Sequence, residues 1–426
     1  MHKTFWYCVY IIILFCGTTY HSLTQANQQQ EKVSGWSSDI DTMLSLMKTP
    51  HYVYRSKPLL QKLLSDANIL KTNISQYSDE RMLGELERLM FYMHDGHSYV
   101  LPLSKKVQAF WLTVMFYIFS DSVFIINTED EYKDLIGYKV LSIGGFDINK
   151  LINDMNSYIH PANKFTVIWF APSIIRFIVV YEYYELKSGS VDISLKLITP
   201  NHEINIKKVQ FFPVKEFHGI PKLFPTKLLP VESTPLYLST VDDRYWYKFL
   251  PENDALYVQL NQVLPKEEET LFQFGDRLNS ALNTYKPKLL IMDVRHNIGG
   301  SLQNLTKLVQ AIKNFNQQHK SSKIIVITGR NTFSAAQAFI SPIHIETQAL
   351  FVDEPSASSL NFIGENNYFM LLYCKATISI SDKYHETIPG DARKWNEPEY
   401  PVSLSSVGYF KNDDPVLEFI LKKTTW

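Results

Sequence analysis

Two apolar tetrads, Leu289-Leu290-Ile291-Met292 and Ile324-Ile325-Val326-Ile327, constrain this chain more than any other feature. Runs without polar alternation belong to strands buried on both faces, as in a parallel sheet flanked by helices. The first run passes through Asp293-Val294-Arg295-His296-Asn297-Ile298-Gly299-Gly300-Ser301 into a stretch with Leu302, Leu305, Leu308, Val309 and Ile312 on one helical face. The second passes through Gly329 to Asn331-Thr332-Phe333-Ser334-Ala335-Ala336. A strand that turns into a helix start leaves backbone N–H groups free to face a developing negative charge. Ser334 is therefore the leading candidate nucleophile, although most serines at helix starts are only caps. The Gly299-Gly300 pair lets backbone approach a substrate and forms a shallow nest of N–H groups. Either unit alone reads as an ordinary strand-to-helix turn. Together they offer a nucleophile and half of an oxyanion hole. Asp293 and Arg295 read as a structural ion pair that holds the Gly-Gly turn.

These two segments resemble the S41 serine peptidases, the tail-specific protease family that includes the C-terminal processing proteases and the tricorn core. Three further segments agree in order: Asp95-Gly96-His97-Ser98; Gly137-Tyr138-Lys139-Val140-Leu141-Ser142-Ile143-Gly144-Gly145, similar to a PDZ-like segment; and Ala255-Leu256-Tyr257-Val258-Gln259-Leu260, similar to the strand that opens the catalytic domain. The resemblance implies an α/β fold of the ClpP/crotonase type, and peptide-bond hydrolysis through an acyl-enzyme on Ser334. It places Gly299, Gly300 and Ala335 in the oxyanion hole. Processing-protease members use a lysine soon after the nucleophile, but here that stretch reads Asp353-Glu354-Pro355-Ser356-Ala357-Ser358-Ser359-Leu360-Asn361, and the first lysine after Ser334 is Lys375. The base is then His97, as in the tricorn-like branch; an imidazole titrating near 6.5 is suited to taking a hydroxyl proton at neutral pH. The resemblance points to Asp391 as the third catalytic group, with Glu386 as its competitor. Glu399 stands where the family has an aspartate, which leaves the register of this loop open.

The implied organisation is a signal peptide over 1–26, a helical N-terminal cap over 27–100, a PDZ-like and hairpin region over 101–206, a connecting segment over 207–253 and the catalytic domain over 254–426. Leucines at helical spacing, among them Leu59, Leu63, Leu83 and Leu86, mark the cap. Residues 110–119 and 123–126 read as one hairpin. His2 and Lys3 precede an apolar stretch over 5–15 that is short for a bilayer span of about 20 residues, and Thr24-Gln25-Ala26 suits a signal peptidase. The chain is thus expected to be secreted or periplasmic, meeting a membrane only through its signal peptide. Cleavage after Ala26 would remove Cys8 and Cys16, leaving Cys374 with no intrachain disulfide partner. Forty-two basic residues against 43 acidic ones give no electrostatic reason to expect nucleic acid. Neither metal-ligand spacing nor a phosphate loop is present, so no cofactor or metal is expected and the partner is a polypeptide substrate. A rival reading is a non-catalytic protein of the same fold that binds an apolar ligand or a peptide, its cavity lined by aromatics near 110–117 and 169–184. Core packing is the ordinary explanation of such aromatics.

Overall fold

The computed structural model of the chain describes residues 2–48, 56–159, 162–184, 191–215, 229, 233–423 and 426. Three helices come first: α1 (His2–Lys48), α2 (Lys57–Asn73) and α3 (Asp79–Met90). Helix α3 starts where Ser78 accepts a hydrogen bond from the Arg81 N–H, and two acidic residues follow in its first turn. Trp36, Ile40 and Met43 of α1 pack with Leu63, Met82, Leu86 and Met90 in one apolar cluster. This cluster also takes in Leu371 and Cys374 from far along the chain, and the Asp39 carboxylate accepts from the Tyr373 and Cys374 N–H groups. Among the described residues no helix is long and apolar enough to cross a membrane. The side chains of the apolar stretch over 5–15 lie outside the described residues, as do Met1 and the prolines Pro221, Pro225 and Pro230 of the expected connecting segment.

Strand β1 (Tyr99–Ser104) leaves the helices and does not join the next unit. That unit comprises β2 (Phe110–Leu112), β3 (Met115–Ile118), β4 (Val123–Asn127), β5 (Lys139–Ile143), β6 (Phe146–Asp147), α4 (Ile148–Asp154), α5 (Lys164–Ile174), α6 (Ile178–Tyr183), β7 (Asp192–Ile198) and β8 (Ile204–Pro213). Its antiparallel sheet runs β2-β8-β7-β5-β4-β3, with β6 paired to β5. The hairpin expected over 110–126 is only partly formed. Strand β3 pairs with β4, whereas β2 leaves at Thr113 and pairs with β8. Val114 and Phe116 then enter the core instead of continuing one ribbon.

The third unit holds α7 (Leu236–Ser239), β9 (Tyr245–Leu250), β10 (Ala255–Leu260), α8 (Leu271–Tyr285), β11 (Leu289–Asp293), α9 (Thr306–Gln318), β12 (Lys323–Thr328), α10 (Ala335–Glu346), β13 (Leu350–Asp353), β14 (Phe362–Met370), β15 (Ala376–His385), β16 (Tyr400–Pro401), α11 (Ser406–Phe410) and α12 (Pro415–Lys422). Its six-stranded sheet, β16-β13-β12-β11-β10-β9, is parallel except for the edge strand β9. The two tetrads form its centre, with β11 and β12 side by side and Leu290 opposite Ile324. Both faces are covered, which is why these strands lack alternation. Helices α8, α9 and α10 pack with Leu290, Met292 and Val326 on one face, and α12 packs with Ile291, Ile325 and Ile327 on the other.

A buried ion cluster ties this sheet to its last helix. Arg295 forks Asp293 at 2.9 and 3.0 Å and Asp414 at 3.1 and 3.2 Å, and Asp414 also caps α12 through the Leu417 N–H. Tyr257 donates to Asp293 at 2.6 Å. Removing one partner from such a buried set typically costs about 3–5 kcal/mol. The Asp293–Arg295 pair therefore holds the Gly-Gly turn against the C-terminal helix, as the sequence suggested. A third sheet, β1-β15-β14, lies apart from the parallel one and joins the N-terminal third to the C-terminal third. It fixes where the loop before β1 sits, and that loop carries His97.

Candidate active site

Ser334 occupies the cap position of α10 with φ 56° and ψ −121°, and its hydroxyl caps nothing. Non-glycine residues rarely adopt such angles, and holding one there costs about 1–3 kcal/mol, which the surroundings must over-determine. They do. Thr332 accepts from the Gly329 N–H at 3.0 Å and donates to the Val294 carbonyl at 3.0 Å. The Phe333 N–H reaches the Asn297 carbonyl, and the Ala357 N–H reaches the Thr332 carbonyl. The two strand-to-helix turns are thus laced together, and the cap reading of Ser334 gives way to a serine pushed out of the turn.

Gly299, at φ 108°, lies directly behind it. A Cβ there would sit 2.8 Å from the Ser334 Cβ and 3.0 Å from the Ala335 nitrogen, so only glycine fits. One expected oxyanion donor needs correcting. The Gly299 N–H already donates to the Asn297 side chain at 2.9 Å, while the Asn297 amide donates to the Leu260 carbonyl. Gly300 differs. Its parallel bridge to Val263 uses the Gly299 carbonyl and the Ser301 N–H, which turns Gly300's own N–H to the other side. Ala335, as the first helical residue, has no acceptor one turn back. Among the described residues neither the Gly300 nor the Ala335 N–H donates a hydrogen bond, so these two remain for an oxyanion.

His97 comes from the Asp95-Gly96-His97-Ser98 turn. The Asp95 carboxylate accepts from the N–H groups of His97 and Ser98 and from the Ser98 hydroxyl, at 2.6–2.8 Å. Gly96 takes φ 73° where a Cβ would press on Phe333 at 3.1 Å. The imidazole stacks with two rings, Phe333 at 4.4 Å and 28° and Phe362 at 5.7 Å and 12°. Its Nδ1 is 3.2 Å from the Asp95 carbonyl, a partner that only accepts, so the proton belongs on Nδ1 and Nε2 carries the lone pair. Nε2 is buried with no hydrogen-bond partner, so it is not bonded to the Ser334 hydroxyl in this state. Burial holds the imidazole below its ordinary 6.5, with Asp95 opposing that shift.

Asp391 does not reach His97. Its carboxylate is forked by Arg393 at 2.7–3.2 Å, which keeps it below the usual aspartate range, and the nearest imidazole is that of His344, on which Arg393 also bears. Glu386 accepts from the Gly390 N–H of the same loop. The group that sets the His97 tautomer is the Asp95 main chain. Asp391→Asn is therefore expected to change turnover by no more than about twofold, as for an ordinary surface substitution; a loss of a hundredfold or more in a steady-state assay would return Asp391 to the site. Cys374 is buried and its thiol is pushed up to about 12 by that burial, so it offers no competing nucleophile. Among the described residues no group of His, Cys, Asp and Glu is placed to hold a metal ion.

Ser334, His97, Gly299 and Gly300 all line one cavity of about 960 Å³. The walls include α3, Trp169, Phe170 and Ile174 of α5, and Ile178 and Val179 of α6. Asn366 and Tyr368 of β14 close another side. The cavity thus draws on all three units. The sequence showed no sign of α3 at the site, nor of Phe362 beside the histidine.

The same fold occurs in solved structures of CPAF. Mature CPAF complexed with lactacystin aligns at a TM-score of 0.65 and 12% identity, covering 92% of this chain and 98% of that chain. Mature CPAF alone aligns at 0.62 and 13% identity, covering 92% and 96%. At that identity the likeness is one of fold. No protein-family model matches the sequence, and no curated protein matches it.

Proposed function

We propose that the chain is a serine peptidase of the S41 type, hydrolysing peptide bonds of extracytoplasmic polypeptides through an acyl-enzyme on Ser334. The observation that carries this reading is the strained serine itself, set before two unengaged N–H groups in the cavity that receives the lone pair of His97. In the first half-reaction the Ser334 Oγ attacks the scissile carbonyl carbon as its proton passes to His97 Nε2. The oxyanion then sits between the N–H groups of Gly300 and Ala335. Collapse breaks the C–N bond, and the imidazolium returns its proton to the leaving amine. Water, deprotonated by the same Nε2, cleaves the ester and restores Ser334. A small rotation must close the His97–Ser334 gap, since catalytic hydrogen bonds often tighten only with substrate bound.

The fold likeness supports this reading, as do the S41-like motifs that form the site. In it the parallel sheet is the ClpP/crotonase-like catalytic domain, the first three helices are a cap, and the antiparallel unit is PDZ-like. Export through a cleaved signal peptide ending at Ala26 completes the reading. Helix α1 runs across that point, so cleavage would leave 27–48 as the first helix of the cap. N-terminal sequencing of the exported protein is expected to start near Asn27, and an intact Met1 in a membrane fraction would overturn this.

A fluorophosphonate probe followed by peptide mapping tests the main reading. The expected result is one label per chain, on Ser334, and none when the protein is denatured before the probe is added. The apolar walls would also suit a bound apolar ligand, the rival reading. Tight binding of a fluorescent apolar dye without any label on Ser334 would favour that rival.

A further inference from the structure

Helix α3 presents Glu80, Leu83, Gly84 and Glu87 to the cavity, at the spacing of one helical face. The two glutamates lie seven residues apart, about 10 Å along the helix, with apolar surface between them. Gly84 lets α6 pack directly on this face, because a Cβ there would meet Val179 at 2.4 Å. On another side the lining includes Asp242. Among the described residues three carboxylates line the cavity and no lysine or arginine does. Within the chain as a whole the charges nearly balance, at 42 basic to 43 acidic. The asymmetry therefore belongs to the cavity and not to the composition. The carboxylates are not a bare acidic cluster: the same space receives the unpartnered Nε2 of His97, a side chain 7% exposed.

We propose that the cavity selects polypeptide segments in which a basic side chain accompanies an apolar one near the scissile bond. This rests on the serine peptidase reading above. The apolar side chain lies against the wall of α5 and α6. A lysine or arginine, with its apolar stem, lies beside α3 and brings its charge to Glu80 or Glu87. An acidic side chain there meets like charge, so selection works by repulsion as well as attraction. Glu87 is held in place for this by accepting the Val100 N–H, a bond a glutamine oxygen would keep.

The test uses internally quenched peptides that share one apolar residue, with Lys or Glu walked through each neighbouring position. The wild-type enzyme is expected to show a kcat/KM ratio of about tenfold in favour of Lys at one position or more, from attraction of Lys and repulsion of Glu at a partly exposed carboxylate. That ratio should fall towards one in the Glu80→Gln, Glu87→Gln double variant, and also at high salt. The same peptides are bound by Ser334→Ala and read by fluorescence anisotropy, which needs no catalysis. Equal kcat/KM and equal binding for Lys and Glu peptides would overturn the inference and leave the peptidase reading standing. A Lys preference in binding with no hydrolysis by the wild-type protein would overturn the peptidase reading instead. A preference that the double variant keeps would place the selecting groups elsewhere and overturn the assignment to α3.

Discussion

Ser334→Ala is expected to lower kcat on an unfolded polypeptide by on the order of 10⁵-fold. Its thermal midpoint should stay within about 2 °C of the parent, in keeping with a small change in stability. The stability half follows from the geometry. The hydroxyl makes no cap bond, and alanine keeps the Cβ that packs behind Gly299. Alanine also keeps the strain, because φ 56° is as unfavourable for it as for serine. Glycine does not. Ser334→Gly should therefore be as inactive as Ser334→Ala yet more stable, by about 1 kcal/mol or more, as a residue freed from a disfavoured backbone conformation. Paired unfolding curves and steady-state rates check both statements. An active alanine variant would remove Ser334 as nucleophile, and a glycine variant less stable than the alanine one would show that the turn holds no strain.

The parts of this site that were legible in the sequence are those where a short segment determines its own geometry. The two tetrads could only be central strands, and the turns after them could only face the same sheet end, because adjacent parallel strands carry their loops on one side. Asp95-Gly96-His97-Ser98 also sets its own local shape: the aspartate closes a turn on the two residues beyond the glycine, and the glycine takes the positive φ. What sequence alone misassigned depends on distant partners. The choice between the Gly299 and Gly300 N–H groups turns on where the Asn297 side chain folds and on the bridge from Val263. Asp391 was placed by position in a loop, and Arg393, two residues on, took its carboxylate. The rings stacked with His97 lie more than two hundred positions away, Phe362 on β14 and Phe333 in the turn before α10, and no periodicity announces such a pairing.

His97→Ala is expected to be nearly as inactive as the serine variant, because members of one catalytic unit do not contribute additively. Lys375→Gln should keep its rate; Lys375 lies at the turn between β14 and β15 and lines no part of the cavity. The alanine variant leaves an empty space beside the rings of Phe333 and Phe362, and added imidazole should enter it and restore part of the rate. A defect caused only by a disturbed fold would not respond in this way. The pH profile supplies an independent test. On the proposed mechanism hydrolysis needs the neutral imidazole as base, and burial holds His97 below its ordinary 6.5. Lowering the pKa extends the neutral form to lower pH, so kcat/KM should stay level through neutrality and fall only below pH 6.5. A carboxylate hydrogen-bonded to Nδ1 would act in the other direction, stabilising the imidazolium and moving the acidic limb upward. A limb centred above pH 7 would thus mean that an acid reaches His97 in the working enzyme, and that the Asp95 carbonyl is not what orients it.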